Sequence, residues 1–188
     1  MTENYSADYW YNDESHKAWH FGGEKYYVNT FYEQIVNKLD IPKNGKILVL
    51  GTHNCVSFDK LCKNFGYDRC LGYDIANPKN HPNVQIKNCI ELSEKDNLDL
   101  AFCHNDLGNY SQTPLLKEHG QKWLSKNIVK GGWVLCNNNF NRAKVKNIEI
   151  MKENGFKIYQ LLDLVDKYNI KSLPFERLEG YMICQKII

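Results

Sequence analysis

Long apolar runs are missing from this 188-residue sequence: no stretch of about 18 apolar residues occurs, so nothing in it reads as a membrane-spanning helix. The opening MTENYSADYWYNDES has neither a basic region nor an apolar one, so no export signal is expected. An excess of one charge is missing too. The 24 basic and 22 acidic residues leave a formal charge of +2, spread evenly, which argues against binding a nucleic-acid backbone. C-x-x-C spacing is absent among the 7 cysteines, which removes the commonest zinc signature. Several of them (Cys70, Cys89, Cys103, Cys136, Cys184) fall in apolar runs, as small buried thiols in a reducing cytosol would. Arginine is scarce beside lysine and asparagine is abundant, a bias that carries little functional weight. The expectation is a soluble, cytoplasmic protein without membrane or nucleic-acid partners.

What is present is enough apolar material, 43%, for one substantial core. Residues 1–23 are polar and aromatic without a clean period and read as an N-terminal cap, closed by Gly22 and Gly23. A helix is expected over residues 24–39, where Tyr27, Phe31, Ile35 and Leu39 repeat every four residues, with Pro42 ending it. Strands are expected at 84–89, 98–104, 133–136, 157–165 and 180–187, and helices at 115–128 and 143–154. Lys130, Gly131 and Gly132 read as a turn before the fifth strand.

The most informative segment is KILVLGTHNCVSFDKLCKNFGYDRCLGYDI, residues 46–75. Ile47 to Leu50 suits a strand buried on both faces, and Gly51 permits a sharp turn. Phe58, Leu61, Cys62 and Phe65 fall at helical spacing, and Gly66 stops the helix. A second strand, residues 70–73, is followed by Asp74, placed where a carboxylate in an open α/β sheet can accept both hydroxyls of a ribose. Strands alternating with helices imply a doubly wound, mostly parallel sheet of seven strands, Rossmann-like, with helices on both faces and an antiparallel strand at the C-terminus.

That layout, over roughly residues 24–188, resembles the class I S-adenosylmethionine-dependent methyltransferases, and the turn after strand four is similar to that of small-molecule and sugar O-methyltransferases. The resemblance implies a cofactor site at Gly51, Thr52, His53, Asn54, Asp74, Ile75, Asn88 and Cys89. Gly51 matches the first glycine of the family's Gly-x-Gly-x-Gly turn; Val49 stands where an acid is usual, and His53 and Cys55 where the later glycines are, so the motif is degenerate. Asp74 would hold the ribose, and Asn88 with Cys89 would read the adenine edge. His104 and Asp106 are the candidate bases, with His16, His20 and His53 as alternatives. Asn137, Asn138 and Asn139 occupy positions where related enzymes place metal-binding acids; neutral amides bind divalent cations poorly, so no metal is expected.

Each residue also has a plainer reading. Asp74 can cap a loop, Asn88 can satisfy backbone groups, His104 can be structural, and the Asn137 to Asn139 run can be a turn. Trp10, Tyr11, Trp19 and Tyr26 can stack on an acceptor, or pack a core or a homodimer. Three functions remain open. They are S-adenosylmethionine-dependent methyl transfer to a small-molecule hydroxyl, a non-catalytic methyltransferase-like binding or assembly domain, and a dinucleotide-binding oxidoreductase, the last disfavoured by a single glycine in the turn.

Overall fold

Side chains of β1 (Ile47–Leu50) are buried on both faces of a sheet, and this placement organises the fold. The computed structural model describes residues 36–52, 55–87, 96–103, 122–137, 149, 151–160 and 181–188. Among these, seven strands form one sheet: β1, β2 (Cys70–Asp74), β3 (Val84–Ile86), β4 (Leu98–Cys103), β5 (Ile128–Asn137), β6 (Phe156–Gln160) and β7 (Tyr181–Lys186). Their order is β3-β2-β1-β4-β5-β7-β6. Strands β3 to β5 pair in parallel, and β7 runs antiparallel to both β5 and β6.

Two cores flank the sheet. Ile47 and Val49 join Phe58, Leu61 and Cys62 of helix α1 (Val56–Phe65) on one face. Leu48 and Leu50 join Trp123, Leu124 and Met151, from the helical residues 122–127 and 151–153, on the other. An uninterrupted apolar run is what a strand covered on both sides requires, and burying each such side chain contributes about 1.5–3 kcal/mol. Helix α1 ends as its sequence indicates: the N–H of Gly66, at φ 100°, returns to the carbonyl of Cys62 at 2.8 Å.

Element ends depart from expectation in places. β2 runs one residue further and includes Asp74, because Asp74 and Ile86 are in register on neighbouring strands. β6 begins at Phe156, one residue earlier than expected. The expected turn at Lys130, Gly131 and Gly132 is instead a bulge within β5, which starts at Ile128: Leu98 pairs with Ile128 but Leu100 with Trp133. A glycine pair reads as a turn in sequence, yet here it lets surplus residues loop out while the strand stays in the sheet. In the three remaining expected helices, residues 36–38, 122–127 and 149 with 151–153 are helical, while Leu39 and Asn154 lie in turns and Ile128 belongs to β5. The cap over residues 1–23 lies outside the described residues.

A polar cluster ties α1 to the β2–β3 connection. Asp59 accepts from Tyr67 Oη at 2.8 Å and pairs with Lys63 at 2.5 Å. Buried His81 stacks on Tyr67, and its Nδ1 accepts from the N–H of Asn83 at 3.2 Å, which leaves the ring proton on Nε2, 3.4 Å from Asp59 Oδ1. That last approach lacks hydrogen-bond geometry.

Two consequences are measurable. Lys63 first, and Tyr67 next, hold the Asp59 carboxyl below its ordinary value of 3.8, so the stabilisation is present above that pH and is lost as pH falls through the lower folded value. Asp59→Asn should therefore lower the thermal midpoint at neutral pH by the equivalent of less than about 1 kcal/mol, since the group is partly exposed. The gap should narrow as pH falls below 3.8 and close below the lowered folded value; a gap independent of pH would assign the loss to shape rather than charge. Separately, a Cβ on Gly72 would lie 2.6 Å from Thr52 Cγ2, 3.0 Å from Val84 Cγ2 and 3.1 Å from Phe58 Cε1. Gly72→Ala should cost about 1–3 kcal/mol in urea unfolding, and a neutral result would show that the pocket beside Gly72 yields freely.

Candidate functional site

In the strand order, connections from β1 lead to β2 on one side and from β3 to β4 on the other, so the carboxyl ends of β1 and β4 border the crevice where open α/β sheets bind ligands. Gly51 leaves β1 with φ 74°, a conformation that glycine adopts without a Cβ penalty. Its N–H donates to the carbonyl of Tyr73 at 2.9 Å, carrying the β1–β2 pairing one residue beyond Leu50 and Tyr73. Thr52 is thereby folded back over the end of β2. Its hydroxyl reaches Asp74 Oδ2 at 3.4 Å, and both residues are buried, 6% and 7% exposed.

Asp74 is anchored by backbone as well as by Thr52. Its Oδ1 accepts from the N–H of Ala76 at 3.3 Å, and its carbonyl accepts from the N–H of Lys87 at 2.8 Å. The following loop is held by Asn77, whose Oδ1 accepts from the N–H of His81 at 2.8 Å while its Nδ2 donates to the carbonyls of His81 at 2.9 Å and Val84 at 3.2 Å. Ile75 lies between these anchors, half-buried.

Cys55 caps α1 in the left-handed region, at φ 66° and ψ 0°, with its N–H bonded to the carbonyl of Thr52 at 2.9 Å. Its thiol lies 3.8 Å from Thr52 Oγ1 and 3.9 Å from Asn77 Oδ1. Burial, reinforced by the Asp74 and Asp59 charges and opposed by the Thr52 hydroxyl, raises the thiol above its ordinary value of 9.0, so it keeps its proton and acts as a donor.

The structure thus brings Gly51, Thr52, Asp74 and Ile75 together at adjoining strand ends. His53, Asn54, Asn88, Cys89, His104 and Asp106 lie outside the described residues, as do Asn138 and Asn139; Asn137 is the last residue of β5. Sequence reasoning passed over two residues, Cys55 as a helix cap and Asn77 as a loop anchor. Asn77-Pro78, three residues past the strand-end acid, was a usable signal for the second, because asparagine side chains bond nearby backbone in turns. Among the described residues no group of three or more His, Cys, Asp or Glu side chains gathers as a metal site.

No protein-family model and no curated protein sequence matches the chain. Solved structures do. An S-adenosylmethionine-dependent methyltransferase from Clostridium acetobutylicum is 13% identical, with 95% of this chain and 99% of that one covered and a TM-score of 0.66. A TehB-like S-adenosylmethionine-dependent methyltransferase from Corynebacterium glutamicum is 14% identical, with coverage of 92% and 95% and a TM-score of 0.63. The [4+2]-cyclase SpnF is 11% identical, with coverage of 85% and 81% and a TM-score of 0.56. The chain has the fold of the S-adenosylmethionine-dependent methyltransferases.

On that fold the described residues suit the ribose end of an adenosyl cofactor: a left-handed glycine lets the chain turn sharply, and a carboxylate stands buried at the neighbouring strand end. Cys55 has a backbone conformation that glycine adopts freely. A left-handed residue with a Cβ costs about 1–2 kcal/mol, so Cys55→Gly should recover strain while losing a buried thiol of similar worth. Its urea midpoint should stay within about 1 kcal/mol of the parent, whereas Cys55→Val, branched at Cβ, should lose more than about 2 kcal/mol. Equal losses in the two variants would show that backbone conformation does not limit this position.

Proposed function

We propose that the protein is an S-adenosylmethionine-dependent methyltransferase acting on a hydroxyl of a small molecule such as a sugar or another metabolite. The observation that carries this reading is the buried Asp74 carboxylate at the end of β2, beside the left-handed Gly51 turn, on a methyltransferase sheet. Asp74 would accept the ribose hydroxyls, with Gly51 to Asn54 and Ile75 lining the cofactor and Asn88 and Cys89 meeting its adenine. The bound cofactor would supply an activated methyl group. Transfer then needs an acceptor oxygen aligned with that methyl and a base for its proton, the role given to His104 or Asp106. Five buried free cysteines among the described residues favour a reducing, cytoplasmic setting.

One observation favours a second reading, a non-catalytic relative that binds or assembles. Val49, where the family's acid is usual, is 2% exposed and packed in the core, so this strand end offers the cofactor one carboxylate fewer. The SpnF comparison also shows that the fold is shared by a protein named for cyclisation. A dinucleotide-binding oxidoreductase is the third reading; the reversed β7 and the single glycine of the turn weigh against it.

Calorimetric titration with S-adenosylmethionine and S-adenosylhomocysteine, with NAD⁺ as control and with and without Mg²⁺, separates the three. Micromolar binding of the adenosyl ligands alone is expected. Asp74→Ala should weaken it by about 1.5–3 kcal/mol, the worth of hydrogen bonds to a charged acceptor. Unchanged affinity in that variant would remove Asp74 from the site, and turnover lost without adenosyl affinity in His104 or Asp106 variants would identify the base.

A further inference from the structure

Cys55, Thr52 and Asp74 form a chain of side-chain contacts at the cofactor turn, and its polarity is set by chemistry. The Cys55 thiol is a protonated donor, 3.8 Å from Thr52 Oγ1. A threonine hydroxyl has one proton and two lone pairs, and Asp74 Oδ2, at 3.4 Å, is a carboxylate oxygen that can only accept. The single thiol proton has two acceptors in reach, Thr52 Oγ1 and Asn77 Oδ1 at 3.9 Å, and when it goes to Thr52 the Thr52 proton goes to Asp74. Without the thiol, the Thr52 hydroxyl has less to hold its rotor in that sense.

The surroundings are shaped for this contact. Thr52 Cγ2 occupies the space above Gly72 that any side chain at position 72 would fill, with Val84 and Phe58 on the other sides. Thr52 is therefore seated by its methyl as well as aimed by its hydroxyl, and it is 6% exposed. Cys55 is held in the left-handed region by the bond from its N–H to the Thr52 carbonyl, and this conformation keeps its thiol within reach of Thr52. Backbone strain at a ligand turn is maintained where surrounding contacts over-determine it.

We propose that Thr52 is a positioning residue, which together with the Cys55 thiol orients the Asp74 carboxylate toward the ribose hydroxyls of an adenosyl ligand. This rests on the reading of Asp74 as the ribose acceptor. It gives the departure from glycine at position 55 a purpose, since a glycine there has no group to donate to Thr52. The Thr52 to Asp74 contact is longer than the strongest O–H···O bonds, which places its effect at the low end of the hydrogen-bond range.

The test measures calorimetric affinity for two probes, S-adenosylhomocysteine and a 2′,3′-dideoxyribose version of it that lacks the ribose hydroxyls. Thr52→Val keeps the methyl beside Gly72 and removes the hydroxyl. It should weaken S-adenosylhomocysteine binding about three- to fivefold and leave the dideoxy probe within about twofold. Thr52→Ser, which keeps the hydroxyl but not the methyl, should bind S-adenosylhomocysteine more tightly than Thr52→Val does. Cys55→Ala should give a smaller loss in the same direction, absent when Thr52 is already valine. Equal weakening of both probes in Thr52→Val, or none, would overturn the proposal while leaving the Asp74 reading intact. Failure of the parent protein to bind S-adenosylhomocysteine would overturn both. Should Thr52→Val unfold early, the Cys55→Ala comparison on the two probes decides alone, with probe-selective loss supporting the relay and uniform or absent loss rejecting it.

Discussion

The hydrogen bond from the N–H of Gly51 to the carbonyl of Tyr73 holds the end of β1 against the end of β2, and the geometry of the candidate site depends on it. A parallel pair has no tight turn to fix its register, so the register comes from side-chain burial along the strands. Here Ile47 to Leu50 sit opposite Cys70 to Tyr73, with every β1 residue buried. A slip by one residue would exchange the two cores and move Thr52 away from Asp74. The site is therefore only as well placed as the strand packing beneath it.

Small residues make that packing possible. Gly72 lies in the middle of β2, where glycine ordinarily weakens a strand. Its missing side chain is the space into which Thr52, Val84 and Phe58 converge, so the local entropy cost is offset by close packing of a strand, a helix and the turn that follows β1. Asn77, Asn83 and His81 then fasten the β2–β3 connection, with Asn83 Nδ2 donating to the carbonyls of Tyr67 and Cys70. The loop that follows Asp74 is thus fixed from its far side as well as at the strand end.

Much of this was legible in the sequence where a single local rule operates. An apolar tetrad flanked by lysine and glycine reads as a buried strand, apolar residues at helical spacing read as α1, and Gly66 reads as its end. Asp74 could be placed because strand ends in such sheets face ligands. What escaped depended on partners distant in sequence. The bulge at Lys130 to Gly132 exists because Leu98 and Leu100 on β4 demand their own partners, and the glycines alone looked like a turn. The left-handed Cys55 was equally hidden, since cysteine rarely adopts that conformation and its cause lies in the Thr52 carbonyl and the packing of α1.

The glycine-poor turn consequently has a different meaning in structure than in sequence. Read as letters, His53 and Cys55 look like erosion of a cofactor motif. A turn that had decayed would be expected to relax, because nothing would maintain about 1–2 kcal/mol of left-handed strain at a residue with a side chain. Cys55 instead keeps φ at 66°, buries its thiol to 2% exposure, and makes contacts to Thr52 and Asn77 that a glycine cannot make. Thiol burial and one weak bond from its single proton are together worth about 1–2 kcal/mol, enough to offset the strain without a large surplus. At Cys55, then, a left-handed residue is held by contacts that a glycine would lack, and its thiol lies beside the Thr52 hydroxyl that reaches Asp74.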